Sequence, residues 1–500
     1  MEINFETRQA EVYREVYHQT RRIQESTESV VPDTEEDINR IAAVQTSVYL
    51  KSKDLTGRGV LISGEACASL VCIGEKQDSV SVVRTVKPFS VEYEIPDLTA
   101  EAQPQVTLSI QAADARVVNP RKVSVTFEIA SELSCYAKDA VSVDTLLPAE
   151  QDVSLYAKLD ETELSLPNAV TEKIFAIHEQ FPIPDGKPKP EKIATERAEL
   201  TVTDCQLIGS KAVVKGNAEL TVSYLSDEVD YPVRVDFSAP FSQIVDIGTE
   251  QMAFSTVRPE LTAAYYDLTD TIGGEKALDV ELHALLELVS YGREAVQYIA
   301  DVYSNSMPCT PQRQAEVFAA VESSQRRKVT QEERVHVMDD CADVLSVFLT
   351  LTRPALEQGK LSAAVNLDIV YRTDSGQLSS ARRTLVLSDE NGGADQRLLT
   401  ARLTDLSIRP DGQFIDVHLA LELDLITADE VEVNRLTGAV LDEEQRFDPA
   451  DYPAITLVRV QDESLWELAK QYHSSEDRIR ESNPEDDGYR GRMLLIPRTI

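Results

Sequence analysis

Residues 64–72 read GEACASLVC, and a segment of the same pattern occurs twice more along the chain. Residues 216–224 read GNAELTVSY and residues 363–371 read AAVNLDIVY, so the three copies begin 152 and 147 positions apart. Each copy mixes apolar and polar residues in near alternation, which is typical of a strand with one buried face. Because a period of about 150 residues is the length of a whole domain, the pattern predicts three repeated β domains rather than a solenoid.

Two further features accompany the repeated segment. The tripeptide Pro-Phe-Ser occurs at residues 88–90 and again at residues 240–242, also 152 positions apart. A pair of strand-like segments follows each copy, at residues 106–113 with 123–129, 261–266 with 278–288, and 403–408 with 414–425. The chain is therefore predicted to be mainly β, with three repeated antiparallel, sandwich-like domains at residues 30–150, 168–305 and 310–445, the last of them degenerate.

The segment before these domains, residues 1–29, is predicted to hold an N-terminal helix over residues 5–25. Its large apolar residues are spaced 7, 4 and 7 positions apart, which draws one stripe along a helix: Phe5, Val12, Val16 and Ile23. Two roles are open for this helix. It could dock on the first domain, or it could form a short coiled coil with a partner, since the spacing fits a heptad.

The charge of the chain limits its partners. Its 500 residues include 86 acidic and 49 basic side chains, for a net charge of −37. Such a field repels nucleic acid, anionic membranes and anionic cell wall, and it is compatible with a basic protein partner. The N-terminus has early acidic residues and no apolar core, so it does not read as a secretory signal. Without an apolar run of about 18 residues, we expect no membrane insertion and a cytoplasmic location.

No motif in the sequence points to catalysis. The patterns GxSxG, HExxH and GxxxxGK[ST] do not occur, so we expect no catalytic residues, no cofactor and no enzymatic activity. The six cysteines form no CxxC pair. We therefore expect them to be reduced, small apolar residues rather than zinc ligands or disulfide partners, and no metal site is predicted.

Two openings in the sequence resemble a known family. Residues 31–41 read VPDTEEDINRI and resemble the "PDxxPDIxxI" opening of the SPOCS domain of spore coat assembly proteins, with Glu36 in place of the second proline. Residues 181–193 read FPIPDGKPKPEKI, similar to the "LPxGKPxIxxI" version. The third domain lacks this opening, and residues 332–345 are the nearest substitute. The resemblance implies a non-enzymatic assembly or adaptor protein of the spore envelope, located in the mother cell at the forespore surface.

The C-terminal residues 453–500 resemble a second family. Residues 460–472 read VQDESLWELAKQY, similar to the LysM start "VxxGDTLWxIAxxY", and Asn483-Pro484 and residues 491–497 (GRMLLIP) match its later motifs. The resemblance implies a small βααβ module that recruits a protein partner, either the ATPase at the base of the spore coat or another coat protein. Because LysM modules normally hold N-acetyl sugars, the alternative is a peptidoglycan- or N-acetylglucosamine-binding cell-wall protein, which would need export.

The LysM resemblance also implies a binding groove between two loops. Its residues are Asp462, Glu463, Ser464 and Leu465 in the first loop, Asn483 and Pro484 in the second, and Ile496 and Pro497 at the edge. Asp462 stands where the family has glycine, and acidic residues lie nearby: Glu463, Glu485, Asp486 and Asp487. An acidic groove favours a basic protein over anionic peptidoglycan. Ser464 and Glu467 predict a helix capping box, and the predicted module core is Leu465, Trp466, Leu468, Ala469 and Ile479.

Overall fold

Strands account for most of this protein in its computed structural model, which confirms the mainly β class predicted from the sequence. The structure describes residues 1–32, 36–74, 80–147, 155–250, 252–271, 273–352, 354–357, 359–390, 393, 396–484 and 489–499. The predicted motif residues Asp33, Thr34 and Glu35, and the acidic loop residues Glu485, Asp486 and Asp487, lie outside these ranges.

Strand pairing divides the repeats into three groups. The first group, residues 6–146, forms two antiparallel three-stranded sheets, ordered β2-β7-β6 and β3-β4-β5. A short strand β1 (Glu2–Asn4) precedes it and pairs with the last strand of the third group. The strands of the first group are β2 (Glu6–Val30), β3 (Ile38–Thr56), β4 (Gly59–Gly74), β5 (Val80–Glu94), β6 (Gln103–Asn119) and β7 (Lys122–Leu146).

The second group, residues 155–304, repeats this order of pairing. Its sheets run β8-β13-β12 and β9-β10-β11, so that the first and last strands again pair with each other. The strands are β8 (Leu155–Pro182), β9 (Lys192–Ile208), β10 (Lys211–Ser226), β11 (Val229–Asp246), β12 (Phe254–Asp270) and β13 (Lys276–Ser304).

The third group, residues 309–441, has the same pairing, but two of its strands, β14 with 43 residues and β18 with 46, each take the place of two strands of the other groups. The first part of β14 pairs with β18, and its last part, from Cys341 to Leu351, pairs with β16. Near Gly412 (φ +59°) β18 turns back, and Thr404 Oγ1 donates to the Ala420 carbonyl across the turn. The strands are β14 (Cys309–Leu351), β15 (Ala355–Glu357), β16 (Lys360–Thr373), β17 (Leu378–Asp389) and β18 (Gln396–Leu441).

The N-terminal helix predicted for residues 5–25 is wrong, because these residues lie almost entirely in β2. The strand pairs along its length with β7. A bulge between Glu15 and Tyr17 reverses which residues face inward, so Val12 is buried before it and Ile23 packs inward after it. Because the bulge shifts the inward-facing positions from even to odd residue numbers, the two-residue period of a strand is interrupted. The remaining spacing of the apolar residues matches the stripe of an amphipathic helix.

In each group the two sets of paired strands enclose one apolar core, as in a sandwich. The first and last strands of each group extend beyond this sandwich as a two-stranded ribbon, and the three ribbons pack together. Two apolar clusters join them. One contains Phe5, Leu155, Ile299, Val302, Met307, Leu436, Ala439 and Leu441, and the other contains Val12, Leu164, Leu166, Val296, Phe318 and Val433. All three ribbons contribute to the second cluster, and the first cluster joins the second and third ribbons to Phe5, which directly precedes β2. The three groups therefore pack together at this end.

The sandwiches also contact one another in all three combinations. Between the first and second groups, Lys53 forms an ion pair with Glu287. Between the third and first, Asp368 Oδ2 accepts a hydrogen bond of 2.8 Å from the Val44 backbone N–H. Between the second and third, the Arg372 guanidinium donates to Asp230 at 2.7 Å. The three groups therefore form a closed ring.

A small module with the order β-α-α-β ends the chain, as predicted. It consists of β19 (Ile455–Arg459), α1 (Leu465–Gln471), α2 (Glu476–Ser482) and β20 (Met493–Pro497), with a core that includes Trp466, Leu468, Ala469, Ile479, Leu494 and Ile496. In the part of the chain that the structure describes, neither helix is long and apolar enough to span a membrane.

Candidate functional site

The first loop of the C-terminal module is fixed by the cap of α1. Ser464 Oγ accepts a hydrogen bond from the Glu467 backbone N–H, and Glu467 Oε2 accepts one of 2.7 Å from the Ser464 N–H. This reciprocal pair is the predicted capping box. The backbone and side-chain hydrogen bonds from Ser464 lower the pKa of Glu467. The loop therefore leaves β19 and enters α1 in a defined geometry.

The two predicted acidic residues of this loop already have partners. Asp462 Oδ1 lies 2.6 Å from Arg490 Nη2, and both side chains are about four-fifths exposed, at 79% and 82%. Glu463 Oε2 accepts a hydrogen bond of 2.8 Å from the Gln461 backbone N–H, and such backbone hydrogen bonds lower its pKa. The charge of Asp462 is thus balanced across the loops, which weakens the idea of a uniformly acidic groove.

The predicted residues of the second loop and edge differ in exposure. The Asn483 side chain donates to the carbonyls of Ile479 and Leu495 and accepts from the Leu495 N–H, so it joins α2 to β20. Ile496 is only 1% exposed and belongs to the core. Pro497 accepts a hydrogen bond from Ser474 through its carbonyl, and Pro484 is exposed. Asn483, Ile496 and Pro497 therefore hold the module together.

An exposed apolar face adjoins the first loop, and sequence reasoning missed it. In the β19–β20 register, Leu457 lies opposite Leu495 and Arg459 opposite Met493, on the face turned away from the helices. Ile455, Leu457 and Met493 are 57%, 64% and 57% exposed. The alternation of large apolar residues in both strands was the available signal. Because such residues cluster on one small face, this face is a candidate contact surface.

The module is seated on the end of the second strand group. Trp466 Nε1 donates a hydrogen bond of 2.8 Å to Asp301 Oδ2, and Lys470 Nζ lies 2.7 Å from the same oxygen. The ring of Tyr303 meets Trp466 edge-on at 4.8 Å, and its hydroxyl donates to the Ser474 carbonyl. The residues on β13 were not singled out from the sequence, because nothing local marks them as partners of the distant Trp466.

The pKa of Asp301 reflects this seat. Burial acts to raise its pKa, but the hydrogen bonds from Lys470 and Trp466 outweigh burial, so the pKa lies below its usual value. Asp301 is therefore held as a carboxylate, which suits both donors. The contact ties the position of the module to the second strand group through charged and aromatic groups together.

Among the residues that the structure describes, we find no metal-binding cluster and no reactive thiol. No group of three His, Cys, Asp or Glu side chains there could hold a metal ion. All six cysteines are free thiols, three of them buried. Burial raises the pKa of Cys67, Cys205, Cys309 and Cys341 to about 11 and that of Cys135 to about 12. These thiols are therefore protonated near neutral pH and poor nucleophiles.

One family model matches part of the chain. The model described as "SipL, SPOCS domain" matches residues 189–269, which run from just before β9 almost to the end of β12. None of the curated proteins and none of the solved structures matches. The second strand group is therefore similar to a SPOCS domain, in agreement with the resemblance of residues 181–193.

Proposed function

We propose that this chain is a non-enzymatic assembly adaptor of the spore envelope, whose LysM-like C-terminal module recruits a protein partner. The observation that carries the proposal is the SPOCS match at residues 189–269, joined in one chain to a βααβ module with LysM-type motifs. By its resemblance to SipL, the partner would be the ATPase at the base of the spore coat, or another coat protein. The location would be the mother-cell cytoplasm, at the forespore surface.

The division of labour within the molecule supports an adaptor. The three strand groups share a ribbon core and contact each other all around, so they supply a stable body. The module is seated on that body through Asp301 and Tyr303, which leaves the β19–β20 face directed outward. A recruiting module that is fixed in this way would present its partner in a defined orientation relative to the body.

The proposed contact surface combines the apolar face with the exposed rim of the predicted groove. Ile455, Leu457 and Met493 supply apolar contacts, and Asp462 and Glu463 lie in the loop that follows the same strand. Apolar anchors bordered by charged groups are the usual composition of a protein-binding surface. The Asp462–Arg490 pair offers a partner one charge of each sign at that rim.

The test is affinity capture from a lysate of sporulating cells with the immobilised full-length chain. Leu457→Glu places a charge on the exposed apolar face, and it should reduce capture of the ATPase about tenfold or more, as expected for a central contact residue. Ile174→Glu is the matched control, because Ile174 is 68% exposed on β8, outside the module. Equal capture by Leu457→Glu and the unsubstituted chain would contradict the proposed surface.

The sugar-binding alternative is tested on the same proteins. The full-length chain is titrated with N-acetylglucosamine hexamer in a calorimeter. The proposal predicts no binding at micromolar affinity. Clear binding that survives Asp462→Lys and Leu457→Glu would favour the cell-wall alternative over the adaptor.

A further inference from the structure

A cavity of about 960 Å³ lies where the three strand groups meet. Its walls come from β2, β6 and β7 of the first group, from β8, β12 and β13 of the second, and from β14, β15 and β18 of the third. This volume is within the range of about 300–1,000 Å³ that is typical of small-molecule sites. The module and its contact surface are not part of it, so the cavity is a separate feature of the body.

Two polar groups of the cavity wall have donors without acceptors. Gln105 is only 3% exposed, and its Nε2 has no hydrogen-bond partner among the described residues. Arg258 Nη1 also has no hydrogen-bond partner among the described residues, although it forms a longer ion pair with Glu132 Oε1 at 3.6 Å. A buried donor that lacks an acceptor is costly, and a ligand oxygen would remove that cost.

The charge of the cavity wall also favours an anion. Among the described lining residues, Arg22, Arg258 and Arg397 stand beside two carboxylates, Glu15 and Glu132, which lie 3.5 Å from Arg397 and 3.6 Å from Arg258 respectively. Arg14 lines it as well, but its guanidinium is engaged by Asp139 at 2.8 Å. Arginines therefore outnumber carboxylates among these described residues, inside a chain whose net charge is −37. Arginine is also the side chain best suited to bind the oxygens of carboxylate or phosphate.

Beside these polar groups the wall is apolar. Tyr136, Tyr291, Phe318 and Ile426 line the cavity, and each is at most 8% exposed. Tyr136, Tyr291 and Ile426 belong to one cluster that draws on all three strand groups. A ligand that filled the cavity would therefore place an apolar body against this cluster, while its polar end reached Arg258 and Gln105.

We propose that the cavity binds a small amphiphilic anion, with a carboxylate or phosphate head group on Arg258 and Gln105 and an apolar body against Tyr136, Tyr291 and Ile426. Because the wall is assembled from all three strand groups, the bound anion stabilises their association. The cavity can therefore be occupied only when the ring of strand groups is closed, and a bound anion stabilises the closed ring.

The test uses three eight-carbon probes and the full-length chain. Octanoate and octyl phosphate carry the two candidate head groups, and octanol is the uncharged match. Calorimetric titration should show that one or both anions bind about tenfold or more tightly than octanol, because a hydrogen bond to a charged group is worth at least that factor. The anion that binds should also raise the midpoint of thermal unfolding. The tighter of the two anions identifies the head group.

Two variants and a control locate the binding site. Arg258→Met should weaken anion binding about tenfold and leave octanol unchanged. Arg258→Met could unfold the chain, because Glu132 loses its counter-charge. In that case the Gln105→Met variant is used to test whether the anion binds in the cavity. It removes the unpartnered Nε2 donor, so the unfolding midpoint without ligand should stay the same or rise, while the affinity for the anion should fall about threefold or more. Arg293→Met, at a 62% exposed arginine outside the cavity, should match the unsubstituted chain.

Three outcomes would overturn the proposal. The first is that neither anion gives heat or a midpoint shift at millimolar concentration. The second is that octanol binds as tightly as the anions, which would remove the role of the charged head group. The third is that Gln105→Met folds and retains full anion affinity, which would place any binding elsewhere on the molecule.

Discussion

A contact between a glycine and an aromatic ring explains why the segment that begins at Gly64 and the Pro-Phe-Ser tripeptide both recur 152 positions later. Gly64 lies directly opposite Phe89 in the β4–β5 register, and Gly216 lies opposite Phe241 in β10–β11. In the third group the corresponding pair is Ala363 opposite Leu387. The ring covers the glycine in the first two groups, and a smaller side chain faces alanine in the third. Cross-strand pairs of this kind stabilise sheets, so the two positions vary together.

This pairing predicts a rescue. In Gly64→Ala the new Cβ would lie 2.5 Å from Phe89 Cζ and 3.0 Å from the Tyr49 carbonyl oxygen. Overpacking of this kind costs roughly 1–3 kcal/mol of unfolding free energy. Adding Phe89→Leu recreates the pair of the third group and should recover much of that loss, measured by chemical denaturation as a coupling energy.

The second group supplies the control for that rescue. In Gly216→Ala the new Cβ would lie 2.4 Å from Phe241 Cζ but also 2.1 Å from the Thr201 carbonyl oxygen. Trimming the ring with Phe241→Leu leaves the backbone clash in place, so little stability should return. Equal rescue at both positions would show that the ring is not the limiting contact at Gly64.

Several residues of the module could be assigned from the sequence, and others could not. The capping box of Ser464 and Glu467 and the buried Trp466 follow from local spacing, and both are confirmed. The ion pair between Asp462 and Arg490 was not predicted, because it joins two loops whose approach depends on the fold. The outward apolar face was not predicted, because each of its two strands is only five residues long and the face forms only when β19 and β20 pair.

The same contrast holds for the secondary-structure elements. The mainly β class was predictable, since the segments carry the alternating pattern of half-buried strands. The N-terminal strand β2 was not, because its bulge breaks the two-residue period and its pairing partner β7 is about a hundred residues away. The long ribbons also have no local signal, since their apolar residues meet only when three distant segments pack together.

The seat of α1 on β13 makes a pH prediction. The pKa of Asp301 is lowered in the folded chain, so its contribution to docking is present above the unfolded value of about 3.9 and is lost as pH falls through the lowered folded pKa. Trp466 is the only tryptophan, so its fluorescence reports the seat. On acidification below about pH 4, the emission of the unsubstituted chain should shift to the red.

Asp301→Asn should reproduce this loss at neutral pH. The substitution removes the ion pair with Lys470, which is 44% exposed, so docking should weaken by about 1–2 kcal/mol. The expected readout is a red-shifted Trp466 emission at pH 7. Asp279→Asn is the matched control on the same strand, since Asp279 contacts His178 instead. An unchanged emission in Asp301→Asn would show that the aromatic contacts alone hold the module.

At the scale of the whole molecule, the ring of strand groups depends on buried polar contacts. Glu287 is 1% exposed, and it accepts a hydrogen bond from the Val106 backbone N–H in addition to its ion pair with Lys53. Burial raises the pKa of Glu287, while Lys53 opposes that shift. The contact joins the first and second groups, so it contributes to the stability of both.

Breaking this contact should destabilise the chain far more than breaking a surface pair. Glu287→Ala leaves the Val106 N–H without an acceptor and removes one of the carboxylates that pair with Lys53 Nζ. The unfolding free energy should therefore fall by roughly 2–4 kcal/mol. Glu294→Ala removes an ion pair with the half-exposed Arg8 and should cost within about 0.5 kcal/mol. Urea denaturation compares the two. Similar losses would mean that the strand groups are stable independently of this contact.

The most direct test of the proposed adaptor function is a binding titration of the purified coat ATPase, the partner that we propose, with three forms of the 500-residue chain. Leu457→Glu should bind the ATPase about tenfold or more weakly than the unsubstituted chain does, and Ile174→Glu should bind it with the affinity of the unsubstituted chain. N-acetylglucosamine hexamer should not compete. Unchanged affinity in Leu457→Glu, or displacement of the ATPase by the sugar, would contradict the proposal that this module recruits protein through its exposed apolar face.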